Sequence, residues 1–466
     1  MKAEKNFFVA FSYKLILLVL TGSMSLLDVN IEIMTIYSLI VYSILIIIYY
    51  RKEKRFFSEY MVVLLFMILF HSGQAIVHLF DAGRYLPVFR TYPERVILNG
   101  IVYSLLCIQI FDAAFCAYEP RVRKKIKHKK CSAEYLNLGY QISKAALILL
   151  TPVVFAATLI KTVFSLKYGY MSLYAYSGAG YTESSLMPYI RNLFVVMCIL
   201  NITSSSYDEK KSRIPLALMA VYGFLMFVSG SRSGCLGVIL PAILIYTTNI
   251  KKMKKEKLLK ILAVFFLLVF ASVFMSYFRL LTDKTGMSIS EAVNYAVESN
   301  PLTETMIEMG GSLQPLLYCV MAFSNGVSFK LGSSYIASLL LLIPNLFHVL
   351  GDVHPASETA NLSQWLMDYM HLDHGPGFSI IAESYYNFGS WGWFVFIIWG
   401  VLLCRILGDP KKQNEERNFI SYAGLTFIFS LIRGSASDFT RYFFYEVILV
   451  NFIVRSLSII ISKRKG

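Results

Sequence analysis

The chain has 466 residues, of which 56% are hydrophobic and 16% are charged. Soluble domains carry about a quarter charged residues, and membrane β-barrels alternate apolar with polar residues, so composition and pattern exclude both classes. The net charge is +15, but the basic residues form short clusters between apolar runs, as in cytoplasmic loops that face anionic lipids. Nucleic-acid binding is therefore not expected.

Apolar runs of spanning length recur along the chain and predict about 12 transmembrane helices. They lie near residues 8–27, 31–50, 60–80, 96–118, 142–164, 188–203, 215–230, 235–249, 258–277, 391–407, 419–432 and 443–461. The first run carries Lys14 and no small-residue cleavage pattern follows it, so we interpret it as a span and not as a signal peptide. The predicted fold class is an all-α polytopic integral membrane protein with one large periplasmic loop.

The basic clusters also predict the orientation of the chain. If every cluster is cytoplasmic, the spans alternate without contradiction and both termini are cytoplasmic. Residues 1–280 then hold transmembrane helices 1–9, residues 281–376 form the large periplasmic loop, and residues 377–466 form a periplasmic amphipathic helix followed by transmembrane helices 10–12. The seven cysteines show no metal-ligand spacing, so no metal site is predicted.

A short turn joins the seventh and eighth predicted spans at the outer face. It reads Ser-Gly-Ser-Arg-Ser-Gly at residues 229–234. Its glycines permit close approach of a ligand, and backbone N–H groups at the start of the next helix add to the charge of Arg232. The turn therefore predicts an anion site; the alternative is a plain polar hairpin between two spans.

The large loop at 281–376 is acidic, in contrast to the rest of the chain. It holds two basic and nine acidic residues, a net charge of −7, so any bound anion would be held by arginines at the membrane rim. Eight arginines lie near the outer face: Arg84, Arg90, Arg95, Arg191, Arg232, Arg279, Arg433 and Arg441. A planar guanidinium grips phosphate oxygens well, which favours a lipid-linked phosphate or pyrophosphate, although arginines at helix ends also extend to the interface without a ligand.

Two further patterns lie in and after this loop. Residues 303–309 predict a short helix ended by Gly310 and Gly311. Residues 378–388 predict a helix whose polar stripe includes Glu383 and Tyr386. Glu383 is a candidate base for a sugar hydroxyl, or else the partner of a buried arginine.

Histidines and aromatic residues supply the other candidates. His354 and His374 are alternative bases, and a solvated loop histidine is the other interpretation of each. Tyr174 and Tyr176, in the tyrosine-rich segment 165–187, and Trp365 are candidates for stacking on sugars, as is Tyr386. Tyrosines at a membrane surface are otherwise interfacial belt residues.

The span arrangement, the 229–234 turn, the late outer loop and the segment HGPGFSIIAESYYNFGSWGW at 374–393 together resemble bacterial O-antigen (oligosaccharide repeat unit) polymerases of the Wzy type. The resemblance covers the architecture of nearly the whole chain. A mechanism that uses arginine motifs in two loops would need a second such motif in segment 165–187. That segment has no arginine, so Arg191 or Arg279 would have to take its place.

The resemblance implies a glycosyltransferase of the inner membrane with a GT-C-like fold and a periplasmic active site. Donor and acceptor would both be glycans on undecaprenyl pyrophosphate, and a chain-length regulator would be a partner. Fixed guanidinium groups could stabilise the departing pyrophosphate without a metal or cofactor. The candidates for pyrophosphate binding are Arg232, Arg279, Arg433, Arg441 and Arg191. The chain contains no Asp-x-Asp pair, which agrees with a metal-independent reaction.

Two alternatives remain. An O-antigen ligase would use the same donor but transfer the glycan to lipid A core, and His354 keeps that interpretation open. A lipid-linked oligosaccharide transporter or flippase predicts charges in mid-span and internal repeats. We find no internal repeat, and the embedded charges Arg191 and Glu446 lie near the ends of their spans.

Overall fold

The computed structural model describes residues 2–24, 27, 29–53, 58–81, 83–84, 86–125, 131–168, 186–251, 290, 294, 300–343, 356–372, 377–408 and 413–465. All regular structure within these ranges is helical, which confirms the all-α polytopic class. The first nine helices are α1 (Lys2–Met24), α2 (Ile31–Glu53), α3 (Glu59–Phe80), α4 (Pro87–Thr91), α5 (Glu94–Lys125), α6 (Ala133–Tyr168), α7 (Met187–Ser204), α8 (Glu209–Val228) and α9 (Arg232–Ile245).

The second half of the chain has shorter helices. They are α10 (Pro301–Met309), α11 (Gln314–Ser324), α12 (Ser333–Leu340), α13 (Ala356–Ala360), α14 (Leu362–Met370), α15 (Ile380–Phe388), α16 (Val395–Ile406), α17 (Glu415–Ile432), α18 (Ala436–Tyr442) and α19 (Leu449–Lys465). Two 3-10 segments, Gly310–Leu313 and Gly389–Phe394, join α10 to α11 and α15 to α16. Two π-helical segments, Tyr246–Ile250 and Phe443–Ile448, extend α9 and join α18 to α19.

Eight helical segments among the described residues are long and apolar enough to cross a membrane. They are Ile31–Lys52, Glu59–Phe80, Glu94–Pro120, Ala133–Tyr168, Met187–Ser204, Glu209–Val228, Ile380–Ile406 and Ala436–Arg464. Two shorter apolar helices, Ser12–Met24 and Gly234–Ile250, coincide with the first and eighth predicted spans. The ninth predicted span lies outside the described residues, so the number twelve stays a prediction.

The chain divides into two compact units that cut across the predicted segments. Unit 1 comprises Met1–Lys125, Met306–Leu407 and Phe429–Arg441, and unit 2 comprises Ile126–Thr305, Gly408–Ile428 and Tyr442–Gly466. Much of the predicted periplasmic loop therefore packs with the first five helices. The predicted loop boundaries concern membrane topology, which these units do not test.

In unit 1, two glycines let the loop pack directly on α3. A Cβ on Gly310 would stand 2.9 Å from the Cα of Gly73, and a Cβ on Gly73 would overlap the carbonyl oxygen of Met306. The Gln74 side-chain amide donates to the carbonyl of Ile307 at 3.0 Å. Small residues permit such close backbone contacts between membrane helices. The prediction of a short helix ended by Gly310 and Gly311 is confirmed, because α10 ends at Met309 and the two glycines begin the 3-10 turn that leads into α11.

Unit 1 also contains a buried ion pair that sequence reasoning overlooked. Lys14 of α1 pairs with Asp112 of α5, and the Tyr60 hydroxyl of α3 donates to the same carboxylate. All three side chains are buried. Charges within spans are rare and are normally paired. This buried group therefore stabilises the packing of α1, α3 and α5. Arg191 and Glu446 are therefore not the main embedded charges.

In unit 2, helices α6, α7 and α8 meet at an aromatic cluster. Phe155 and Phe194 have ring centroids 5.9 Å apart, and Phe194 and Tyr222 have centroids 5.5 Å apart. Edge-to-face aromatic pairs of this kind stabilise packing beyond the area that they bury. The cluster fixes the helices that carry the 229–234 turn and Arg191.

Candidate functional site

The 229–234 turn in unit 2 is a tight connection between α8 and α9. Gly230 adopts a positive φ of 94°, a conformation that favours glycine. The Ser231 N–H donates to the carbonyl of Met226 at 2.9 Å, and the Cys235 N–H donates to the carbonyl of Ser231 at 2.9 Å. Arg232 is the first residue of α9. Its backbone therefore stands at a helix N-terminus, where anions are favoured, while its side chain lies outside the description.

Helix α6 holds this turn from one side. The Ser165 hydroxyl donates to the carbonyl of Ser229 at 3.1 Å, and the Thr162 hydroxyl is 3.4 Å from the carbonyl of Leu225. Both hydroxyls come from the C-terminal end of α6, within two turns of Tyr168. The turn is thus attached to a neighbouring helix rather than projecting alone.

Arg191 lies in the same unit, near the start of α7, and is only 6% exposed. Its charge acts on Lys161 of α6 and on Tyr222 of α8, and the Glu446 carboxylate also acts on Tyr222. Glu446 belongs to the π-helical segment Phe443–Ile448, and such segments are frequent at functional sites. The structure therefore places Arg191 near two charged side chains, Lys161 and Glu446, and near the phenol of Tyr222.

Glu383 in unit 1 is fully buried and both of its carboxylate oxygens accept hydrogen bonds. The Ser334 hydroxyl donates to Oε1 at 2.7 Å, and the backbone N–H of Ala436 donates to Oε2 at 2.7 Å. Ala436 is the first residue of α18, so Glu383 satisfies an N–H group that has no partner within its own helix. Among the described residues, none of the bonds to Glu383 comes from an arginine.

Asn387, one turn after Glu383, extends this network. Its side-chain amide donates to the Ser334 hydroxyl at 2.7 Å and accepts from the backbone N–H of Gly332 at 3.0 Å. The backbone N–H of Leu331 donates to the Asn387 carbonyl at 2.9 Å. The predicted polar stripe of this helix thus faces the protein interior and joins three chain segments.

Tyr335 lies beside this network. Its hydroxyl is buried and has no hydrogen-bond partner among the described residues. Burial and the nearby Glu383 carboxylate raise the pKa of the Tyr335 phenol. A phenol with a raised pKa stays protonated at neutral pH.

Arg433 and Arg441 flank the start of α18 in unit 1. The Arg433 side chain is exposed, and its guanidinium carbon is 6.0 Å from the ring centroid of Phe70. The Asp438 carboxylate accepts from the backbone N–H and the hydroxyl of Ser435, both at 3.0 Å. Arg441 acts electrostatically on the same carboxylate. The segment between the two arginines is thus positioned by two contacts: Glu383 accepts from the Ala436 N–H, and Asp438 accepts from Ser435.

The structure brings Trp365 and Tyr386 together in unit 1. Their ring centroids are 4.6 Å apart, and Trp365 also stacks on Tyr369 with centroids 5.7 Å apart and an interplanar angle of 11°. Tyr386 is buried, whereas Tyr369 is 37% exposed. Tyr386 therefore supports Trp365 from within, and Trp365 with Tyr369 offers the accessible aromatic surface. The Trp-x-x-x-Tyr spacing on α14 would have signalled Tyr369, which sequence reasoning overlooked.

Several predicted site residues lie outside the described residues: Tyr174, Tyr176, Arg279, His354 and His374. Their roles stay predictions. The described candidates divide between the units, with Arg191 and Arg232 in unit 2 and the others in unit 1. Ser334 and Lys161 were not predicted, because each acquires its significance from residues distant in sequence. Asp438 was also not predicted, although its partners Ser435 and Arg441 are close in sequence, and Asn387 was predicted only as a member of the polar stripe.

Comparison with known proteins places this arrangement in a family. The model of the family described as O-antigen polysaccharide polymerase Wzy matches residues 8–465. The chain belongs to this family. The expected resemblance is thereby confirmed, and the chain's general activity is polymerisation of polysaccharide repeat units. Protein CapE of Staphylococcus aureus is 23% identical over 369 residues, covering 77% of this chain and 76% of that protein. No solved structure matches the chain.

Proposed function

We propose that the chain polymerises undecaprenyl-pyrophosphate-linked oligosaccharide repeat units at the periplasmic face by metal-independent glycosyl transfer. The family match over residues 8–465 is the observation that carries this proposal. The 229–234 turn supports it further, because it places Arg232 at a helix N-terminus, a position suited to phosphate.

In the proposed reaction, a hydroxyl of the acceptor repeat unit attacks the anomeric carbon of the donor glycan. A new glycosidic bond forms while the bond from the anomeric carbon to the pyrophosphate oxygen breaks. The hydroxyl proton passes to a base, for which His354, His374 and Glu383 are candidates. Undecaprenyl pyrophosphate departs with an additional negative charge. Guanidinium groups held in place stabilise that charge, and Arg232 with Arg191 are the residues of unit 2 that we assign to it.

Arg279, Arg433 and Arg441 remain further candidates for the pyrophosphate. Trp365 and Tyr369 are assigned to the sugars, since aromatic faces are suited to stacking on pyranose rings. Tyr174 and Tyr176 keep the same proposed role. A chain-length regulator remains the proposed protein partner.

The test is complementation of a strain deleted for this gene, read as the size ladder of its surface polysaccharide on a gel. Wild type should restore the ladder, and Arg232→Ala should leave only a single-unit band. Arg232→Lys should restore little, because lysine lacks the planar fork. Arg213→Ala is a matched control, since Arg213 is an exposed arginine on α8 that pairs with Glu209 at 3.3 Å.

Other outcomes would overturn the proposal. If deletion removes every glycan-bearing band while lipid-linked polymer accumulates, the chain is a ligase. If the ladder is unchanged by deletion, the chain neither polymerises nor ligates this glycan, and a transporter becomes the better explanation. A full ladder with Arg232→Ala would remove Arg232 from the mechanism while leaving the polymerase assignment intact.

A further inference from the structure

Lys161 of α6 is not among the site residues predicted from the sequence. In unit 2, however, it lies on the part of α6 that contacts the 229–234 turn. It stands seven residues before Tyr168, the last residue of α6, which is about 10 Å along the helix. The next residue, Thr162, approaches the carbonyl of Leu225 at the end of α8, and Ser165 bonds to Ser229 of the turn. The helix segment that carries Lys161 is therefore attached to the turn that precedes Arg232.

The charges around Lys161 are the second observation. Among the described residues, the charged group that acts on Lys161 is another cation, Arg191. Like charges repel strongly in a medium of low dielectric constant, and charged residues within spans are normally paired. Lys161 is partly exposed and Arg191 is buried, so an anion could reach the lysine from one side. Two neighbouring cations of this kind are suited to a ligand with more than one negative charge.

Among the described residues, the acid that acts in this neighbourhood is Glu446. Glu446 and Arg191 both act on Tyr222, so Glu446 can compensate one positive charge. The charge of Lys161 then remains, and α9 begins at Arg232, directly after the turn that α6 holds. Among the described side chains here, Lys161 and Arg191 against Glu446 leave an excess of positive charge, and the N-terminus of α9 adds a partial positive charge. A diphosphate group would neutralise that excess and accept hydrogen bonds from each donor.

We propose that Lys161 binds the diphosphate of the lipid-linked glycan, in a cationic group with Arg191 and the start of α9. This inference rests on the proposed function, since it names a further residue for the same pyrophosphate. Lysine acts there as a point charge, whereas Arg232 supplies the oriented fork. The competing source of the same chemistry is the phosphate of an ordinary anionic lipid headgroup.

The experiment measures binding of undecaprenyl pyrophosphate to the full chain in nanodiscs of phosphatidylcholine. Lys161→Ala should weaken binding about tenfold, the effect of losing one charge-assisted contact. Lys161→Arg should retain most of the affinity. Lys144→Ala is the matched control, because Lys144 is an exposed lysine on the same helix, and it should bind as wild type does. Adding phosphatidylglycerol to the nanodiscs should compete weakly.

A second measurement needs no variant and therefore does not depend on folding of a mutant. In the wild-type chain, undecaprenyl pyrophosphate should protect Lys161, but not Lys144, from an amine-reactive reagent, as read by mass spectrometry. Inorganic pyrophosphate should protect Lys161 at higher concentration, since it lacks the lipid.

Three results would overturn the inference, and they are distinguishable. If Lys161→Ala binds normally while Arg232→Ala binds weakly, Lys161 is not in the site but the proposed function stands. If phosphatidylglycerol protects Lys161 as well as undecaprenyl pyrophosphate does, the lysine contacts ordinary lipid headgroups. If the wild-type chain binds no undecaprenyl pyrophosphate, the proposed function fails together with this inference.

Discussion

Glu383 illustrates at the residue scale how a buried carboxylate can be held by neutral donors. Its two oxygens accept from a serine hydroxyl and from a backbone N–H, each at 2.7 Å. Because hydrogen bonds to a charged group are stronger than those between neutral groups, these contacts offset part of the cost of burial. The geometry favours a positioning role for Glu383, which keeps the start of α18 in place.

Glu383→Ala should lower the free energy of unfolding by about 2–4 kcal/mol, because it leaves the Ser334 hydroxyl and the Ala436 N–H without their acceptor. The measurement is thermal unfolding of the purified protein in detergent. Ser334→Ala should be milder, since Glu383 keeps its bond to Ala436. Glu383→Gln distinguishes the positioning role of Glu383 from its proposed role as the base that takes the hydroxyl proton. Loss of all polymerisation at unchanged thermal stability would identify Glu383 as the base instead.

At the scale of elements, close contacts decide where the loop packs. The α10–α11 segment crosses α3 at Gly73 and Gly310, where a Cβ on Gly310 would lie 2.9 Å from the Cα of Gly73. Backbones can approach this closely only where side chains are absent. Within unit 1, the crossing therefore fixes the residues around Gly310 on α3 by shape, and the Gln74 amide adds a directional bond to Ile307.

Gly73→Ala should destabilise the protein by about 1–3 kcal/mol, because the new methyl group overpacks a backbone contact. Gly22→Ala is the matched control: Gly22 lies within α1 and a Cβ there would meet nothing within 4 Å. That control should be neutral or stabilising, since alanine has the higher helix propensity. Thermal unfolding of both variants provides the comparison. Equal stability of the two variants would contradict the proposed crossing.

Helix α14 presents the aromatic surface assigned to sugars. Trp365→Ala should reduce the kcat/KM of polymerisation roughly fivefold, as expected for loss of about 1 kcal/mol of aromatic contact. Trp391→Ala is the control, because Trp391 is 70% exposed at the start of a predicted span and is suited to a membrane belt. Polymerisation is measured with purified protein and lipid-linked repeat units. Equal effects of the two substitutions would remove Trp365 from the sugar site.

At the scale of the whole molecule, orientation in the membrane remains a prediction from charge. Lys330 belongs to the large loop and Lys210 to the basic cluster at the start of α8, and both side chains are exposed. Short cytoplasmic loops keep lysine and arginine, so these two residues should face opposite sides. The partly exposed Cys131 lies on the predicted cytoplasmic side with Lys210.

In intact cells, a membrane-impermeant maleimide should label Lys330→Cys but not Lys210→Cys or the native Cys131. Permeabilised cells should show labelling of Lys210→Cys as well. The readout is the mass shift of the purified protein. Labelling of Lys210→Cys in intact cells, with Lys330→Cys protected, would reverse the orientation and with it the proposed periplasmic reaction.

The amino-acid sequence by itself determined the membrane class, the positions of most helices and the turn that precedes Arg232. These properties are local: about twenty apolar residues must form a helix in lipid because every backbone group needs an internal partner. A turn of glycines and serines between two such runs is equally local. The family follows from the same features, since they extend over nearly the whole chain.

The tertiary structure alone decided which side chains meet. Glu383 and Ala436 are separated by 53 residues, Trp365 and Tyr386 belong to different helices, and Gly73 meets Gly310 across much of the chain. In the sequence, Lys161 is one basic residue among many. Its position near the 229–234 turn follows from the attachment of α6 to that turn. The periodicity of apolar residues along the sequence does not specify such pairs. They depend on how whole helices pack and on which polar groups of each helix need a hydrogen-bond partner from elsewhere.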